Sequence, residues 1–164
     1  MDAVLERARR IRLLVLDVDG VLTDGRLYIS AAGEEFKVFH VRDGSGLVAV
    51  QRAGITVAII SGRDSAAVGT RAAELGIRHT RQGVGDKGAE LASLLRELGI
   101  GAEETACVGD DTPDLPMLRA AGLAVAVADA HPAAQAAAHW ITPSPGGRGA
   151  VRDVCDLLLS ASAH

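Results

Sequence analysis

Apolar residues fall into short runs that stop abruptly at acidic or small polar residues, and these runs alternate with stretches of helical spacing. Residues 11–16 (Ile-Arg-Leu-Leu-Val-Leu) are too short for a helix and end at Asp17-Val18-Asp19-Gly20, which predicts a buried strand running into a loop. The same grammar recurs at 55–60, stopping at Ser61-Gly62-Arg63, at 105–109, stopping at Asp110-Asp111, and at 123–128, ending at Asp129. Between the runs, amphipathic spacing predicts helices over roughly 44–53, 64–75, 87–98 and 113–121, the last opened by Thr112 as a cap and Pro113 in the first turn. A charged helix over 2–10 and a terminal helix from about 150 to 159 frame the series. Strand and helix in alternation predict an α/β fold: a doubly wound, mostly parallel sheet with helices on both faces, in a single domain over 1–164.

One segment breaks the pattern. Over 26–40, Leu27 and Ile29 alternate with Tyr28 and Ser30, a turn falls at Ala31-Ala32-Gly33-Glu34, and alternation resumes through Phe36, Lys37, Val38 and Phe39. That is hairpin chemistry, and it predicts a β-ribbon projecting from the first crossover. At the other end, 143–164 reads as a flexible tail whose Pro- and Gly-rich loop, 143–149, precedes the terminal helix.

Composition narrows the function. Hydrophobic residues at 48% and charged residues at 23% fit a folded globular chain. The formal charge of −4 and only four aromatic residues argue against a nucleic-acid surface, which needs a basic stripe or stacking rings. No apolar stretch reaches the roughly 18 residues of a membrane span. The charged N-terminus has no signal-peptide core, and Cys107 and Cys155 form neither a CxxC site nor a disulfide framework, so a cytoplasmic protein is expected.

In a parallel sheet, function collects at the carboxyl ends of strands, where the strand order reverses. Asp17, Asp19, Ser61, Asp110, Asp111 and nearby Asp114 all follow predicted strands, and Lys87 opens a helix. So many carboxylates in one crevice repel unless a hard cation neutralises them, and oxygen ligands without Cys or His nearby point to Mg²⁺. Such a site, faced by Lys87 and Ser61, suits a phosphoryl group: one carboxylate attacks phosphorus and another, two residues on, moves the proton. Asp43 and Asp129 read as turn or cap residues, and His40, His79 and His139 form no metal set.

These motifs in this order resemble the haloacid dehalogenase superfamily of phosphohydrolases: Asp17-Val18-Asp19-Gly20-Val21-Leu22-Thr23-Asp24-Gly25, Ser61-Gly62-Arg63, Lys87, and Gly109-Asp110-Asp111-Thr112-Pro113-Asp114. Residues 11–159 further resemble the 3-deoxy-D-manno-octulosonate 8-phosphate phosphatases, through Val41-Arg42-Asp43-Gly44, the run 126–132 and the run 146–152. The resemblance implies Asp17 as nucleophile, forming an aspartyl-phosphate, and Asp19 as general acid and base. It implies Mg²⁺ bound by Asp17, the Asp19 carbonyl and Asp110, with the phosphoryl group held by Ser61 and Lys87. Asp111 and Asp114 would then orient the lysine or metal waters. The implied substrate is an eight-carbon sugar-acid phosphate on the route to lipopolysaccharide, its carboxylate met by a set drawn from Gly62, Arg63, Arg42, Arg78 and Arg148. Arg81 is a further candidate.

Superfamily members acting on small molecules usually close a cap domain over the site, but 20–60 and 62–86 are already filled by predicted elements. Closure is therefore expected from the ribbon of a neighbouring subunit, in a homotetramer like that of capless relatives. Two other readings stay open: a nine-carbon, sialic-acid-type 9-phosphate as substrate, and a phosphoaspartate receiver domain. Against the receiver, Asp19 favours turnover, and the second acidic pair follows a much later strand than a receiver's layout requires.

Overall fold

In the computed structural model of the protein, which describes residues 1–162, the apolar runs become parallel strands of one six-stranded sheet. Its strands are β1 (Leu13–Leu16), β4 (Thr56–Ile60), β5 (His79–Arg81), β6 (Thr105–Gly109), β7 (Leu123–Ala126) and β8 (Trp140–Ile141), in the order β5-β4-β1-β6-β7-β8. Every pairing is parallel, with Leu16 level with Ile59 on one side and Val108 on the other. β1, with all four side chains buried, lies at the centre, as a continuous apolar run must in a sheet covered on both faces. The remaining pair, β2 (Tyr28–Ile29) and β3 (Glu35–Phe36), forms the antiparallel ribbon.

The helices are α1 (Asp2–Ala8), α2 (Val41–Arg52), α3 (Ala66–Glu74), α4 (Lys87–Leu98), α5 (Leu115–Ala120), α6 (Pro132–Ala137) and α7 (Ala150–Ser162). On one face α7 packs along α2 and against α1; on the other, α5 lies between α4 and α6. The starts of α2 and α4 are chemically marked. His40 Nδ1 accepts from the Arg42 amide to open α2, Asp86 caps α4 through the Ala89 amide, and Gly99 ends α4 in the left-handed region at φ 62°. β1 lies between β4, reached by crossovers to one side, and β6, reached to the other, so the strand order reverses between β1 and β6.

The structure departs from the sequence expectations at the edges. β1 begins at Leu13, not residue 11, and β7 stops at Ala126. α6 and β8 were not anticipated: alanines carry the segment 132–138 and blur its period, while β8 is only two residues long. No cap domain interrupts the described residues; the intervals flanking Ser61 hold the ribbon, α2, β4, α3 and β5. The ribbon is shorter than 26–40, closed by the Ser30 amide donating to the Glu34 carbonyl at 2.8 Å.

Of the segment 143–164, residues 163 and 164 lie outside the described residues. The loop 143–149 is bonded to three parts of the fold: Gly147 N–H donates to the Val21 carbonyl, Gly146 N–H to Asp129 Oδ1, and Ser144 N–H to Asp153 Oδ2, each at 2.9 Å. A side chain at Gly146 would collide with the Gly20 carbonyl, so the loop rests directly on the turn after β1.

Candidate active site

Asp17 leaves β1 at the point where the strand order reverses, its amide donating to the Val108 carbonyl at 3.1 Å. The chain then winds tightly: the amides of Val21, Leu22 and Thr23 all donate to the Val18 carbonyl, and Thr23 Oγ1 accepts from Gly20 and Gly25. Gly20 sits at φ 89°, and a Cβ there would lie 2.0 Å from Asp110 Oδ2. Glycine is required here so that the loops after β1 and β6 can touch and bring Asp110 beside Asp17.

Asp17, Asp19, Ser61, Gly62, Arg63, Lys87, Asp110, Asp111 and Asp114 line one open cleft of about 270 Å³ at the carboxyl edge of the sheet. Lys87, buried at the start of α4, donates to Asp17 Oδ1 at 2.8 Å and to Asp114 Oδ1 at 2.6 Å. Asp114 also organises the loop after β6, its Oδ2 accepting from the amides of Asp110 at 2.8 Å and Asp111 at 3.2 Å. Asp111 caps the short turn Thr112–Asp114 through the Thr112 amide. Ser61 is buried at the end of β4, its amide donating to the Arg81 carbonyl.

The electrostatics are those of a site with excess negative charge. Burial, then the Asp114 carboxylate, push Asp17 up to about 6 against the pull of Lys87. Asp110 is pushed up to about 8, by burial first and then by Asp17 and Asp114. Burial works against the Lys87 ammonium, yet Asp17 and Asp114 outweigh it and hold its proton more firmly than usual. Asp17, Asp110 and Asp114 each offer an oxygen within 4.8 Å of the others. Asp114 already has both oxygens engaged, which leaves Asp17 and Asp110 to meet a cation. An all-oxygen donor set fits a hard divalent ion.

The arginines separate. Arg63 faces the cleft, its Nε 3.9 Å from Asp19 Oδ2 and its Nη2 donating to Glu35 Oε2 at 2.9 Å. Arg78 is not brought to the site: it lines a groove with Thr56, Val57 and Gly76 at the amino edge of the sheet, because it precedes β5 whereas the cleft lies beyond the strand ends. Arg42, in the first turn of α2, and Arg148, in the loop 143–149, are exposed and line no part of the cleft. Arg81 turns to α4, pairing with Glu90 and Glu97.

Two residues that sequence reasoning missed also reach the site. Lys37, just past β3, donates to Asp19 Oδ1 at 2.6 Å and to Glu35 Oε1 at 2.7 Å, and its side chain is only 3% exposed. The Lys37 and Arg63 hydrogen bonds lower the Glu35 carboxyl below its usual range. Their sequence signal is weak: Glu35 and Lys37 share one ribbon face, but nothing local says toward which part of the molecule that face turns.

A parallel sheet with acids at the reversal point, a buried lysine bridge and no cap defines a class of phosphoryl-transfer fold. A haloacid dehalogenase-like hydrolase family model matches residues 80–153, a span that includes Lys87, Asp110 and Asp114. The chain is 51% identical over 158 residues to 3-deoxy-D-manno-octulosonate 8-phosphate phosphatase KdsC of Escherichia coli (strain K12), covering 96% of this chain and 84% of that one. Among solved structures, the 3-deoxy-D-manno-octulosonate 8-phosphate phosphatase of Yersinia pestis aligns with a TM-score of 0.97 at 49% identity, over 99% of this chain and 88% of that one. The same enzyme of Moraxella catarrhalis, in complex with magnesium ion, phosphate ion and a KDO molecule, aligns with a TM-score of 0.98 at 44% identity, over 99% and 94%. The chain belongs to the haloacid dehalogenase-like hydrolases and, within them, to the family of these 3-deoxy-D-manno-octulosonate 8-phosphate phosphatases.

Proposed function

We propose that the protein is a Mg²⁺-dependent phosphatase that hydrolyses 3-deoxy-D-manno-octulosonate 8-phosphate to the free sugar acid and phosphate. The observation that carries this reading is the buried bridge from Lys87 to Asp17 and Asp114 beside Asp110, in a chain half-identical to phosphatases of that name. Asp17 attacks phosphorus, the bond to the sugar oxygen breaks, and Asp19 gives that oxygen a proton. Water then attacks the aspartyl-phosphate, Asp19 takes its proton, and phosphate leaves. Lys87 fixes the Asp17 carboxylate and, with Ser61, meets the phosphoryl oxygens. Asp111 and Asp114 hold the loop that presents Asp110.

Asp17 and Asp110, with the Asp19 carbonyl, are the groups that would hold Mg²⁺. The bound ion supplies charge neutralisation at the carboxylates and at the phosphoryl oxygens. Arg63 is the cation in the cleft for the substrate's carboxylate, with Gly62 giving the backbone room to approach. The ribbon carries exposed Leu27, Tyr28, Ile29, Phe36 and Val38, a patch suited to burial against further copies of the chain in a homotetramer whose ribbons cover neighbouring clefts. Buried, unpaired Cys107 and Cys155 suit the reducing cytoplasm.

The test is phosphate release from the eight-carbon 8-phosphate and from a nine-carbon 9-phosphate, with and without Mg²⁺. The eight-carbon compound should give the higher kcat/KM, release should need the ion, and Asp17→Asn should lower kcat by about 10³-fold or more. A nine-carbon preference would replace the substrate, and substantial turnover by Asp17→Asn would remove the nucleophile assignment.

A further inference from the structure

We infer that Lys37, carried by the ribbon, is a positioning residue for the proton-transfer group: it fixes the Asp19 carboxylate so that one oxygen is left to serve the leaving group. The inference rests on the reading of Asp19 given above. The ribbon is otherwise among the most exposed parts of the molecule, with Ile29 61% and Val38 60% exposed. Lys37 runs the other way. Its stem and ammonium are covered, and the ammonium ends between two carboxylates, Asp19 and Glu35.

Four side chains close a ring. Lys37 Nζ bonds Asp19 Oδ1 and Glu35 Oε1, Glu35 Oε2 accepts from Arg63, and Arg63 Nε returns to within 3.9 Å of Asp19 Oδ2. The two ends of the Asp19 carboxylate are therefore unlike. Oδ1 is held in a short charge-assisted hydrogen bond. Oδ2 lies 3.9 Å from Arg63 Nε, beyond hydrogen-bonding distance, and Asp19 lines the cleft, so Oδ2 is the oxygen left to carry a proton. An unrestrained Asp side chain samples several rotamers, and a proton donor misplaced by an ångström loses much of its effect. Without Lys37, Asp19 and Glu35 would face one another with only Arg63 between, and repulsion would turn Asp19 away.

Leaving groups separate this role from mere anchoring of the ribbon. An alkyl phosphate needs a proton on its departing oxygen, whereas the leaving group of p-nitrophenyl phosphate departs as a stable phenolate and does not. kcat/KM reports only the steps up to that departure, so hydrolysis of the aspartyl-phosphate does not enter. Lys37→Met should lower kcat/KM for an alkyl phosphate by about 10- to 100-fold while leaving that for p-nitrophenyl phosphate within about threefold, and Lys37→Arg should recover most of the loss. Asp19→Asn must show the same selectivity; if it does not, the reading of Asp19 fails first. If Asp19→Asn is selective and Lys37→Met lowers both substrates equally, or neither, the inference is overturned. Should Lys37→Met not fold, Glu35→Gln, which removes the second anchor of the ammonium, must shift the same ratio several-fold in the same direction, and an unchanged ratio overturns the inference.

Discussion

Asp43, in the first turn of α2, is 1% exposed. Its Oδ1 accepts from the Arg152 amide at 2.9 Å, tying α2 to α7, and its Oδ2 has no partner among the described residues. Burial raises this carboxyl above its ordinary range, against the pull of the Arg152 and Gly149 amides and His40, with Asp153 adding to the rise. A carboxylic acid raised by folding contributes stability that is full below its unfolded value, about 3.9, and is lost as pH climbs through its folded value. Asp43→Asn keeps the Oδ1 acceptor and removes the charge. Thermal melts should show the variant equal to or more stable than the parent at pH 7, by up to about 1 kcal/mol, with the advantage gone by about pH 3.5. A variant less stable at pH 7 would mean that the carboxylate is compensated after all. The site residues differ in how plainly the sequence displays them. Asp17, Asp110 and Ser61 sit where apolar strands stop, a local signal that puts a side chain at the crevice. Lys37 has no such marker, because its contact with Asp19 depends on how the ribbon folds back, which is decided by tertiary packing.

At the scale of elements, the ribbon is the piece whose own chemistry does not account for it. A two-stranded ribbon with a two-residue ladder is marginal in water, and this one also exposes Phe36 at 59% and Val38 at 60%. Assembly would cover that surface. Replacing Ile29, Phe36 and Val38 together with Ser should shift the protein to smaller species in light scattering, while the cooperative melt of the isolated domain moves by less than about 1 kcal/mol. A parent that is already monomeric at working concentration would end the assembly proposal. Elements with a strong period were legible: α4 runs over the expected 87–98, and β6 over the expected 105–109. Those without one were not, and α6 shows why: an alanine-rich helix of six residues has too little contrast between its faces for a period to register.

Across the whole molecule, the proposed ion site joins loops from the two halves of the sheet. Asp17 follows β1 and Asp110 follows β6, strands adjacent in the sheet but separated in the chain by α2 to α4. With burial and mutual repulsion raising Asp17 to about 6 and Asp110 to about 8, the ion-free protein holds its full share of stability from these groups only in acid. That share is lost as pH rises through 6 and then 8. A divalent cation held by the two ionised carboxylates would reverse the cost, because the unfolded chain does not assemble them. At a hundredfold excess over its dissociation constant, a ligand contributes about 2.7 kcal/mol, which for a domain of this size is about 5–10 °C in Tm. Melting the protein in EDTA and in Mg²⁺ across pH 5 to 9 should therefore show two curves that nearly coincide in acid and separate steadily toward base. Asp110→Asn should bring them together: it relieves the repulsion in the ion-free state and removes a ligand in the bound one. A gap that stays constant with pH would place the ion's binding elsewhere than on these two carboxylates.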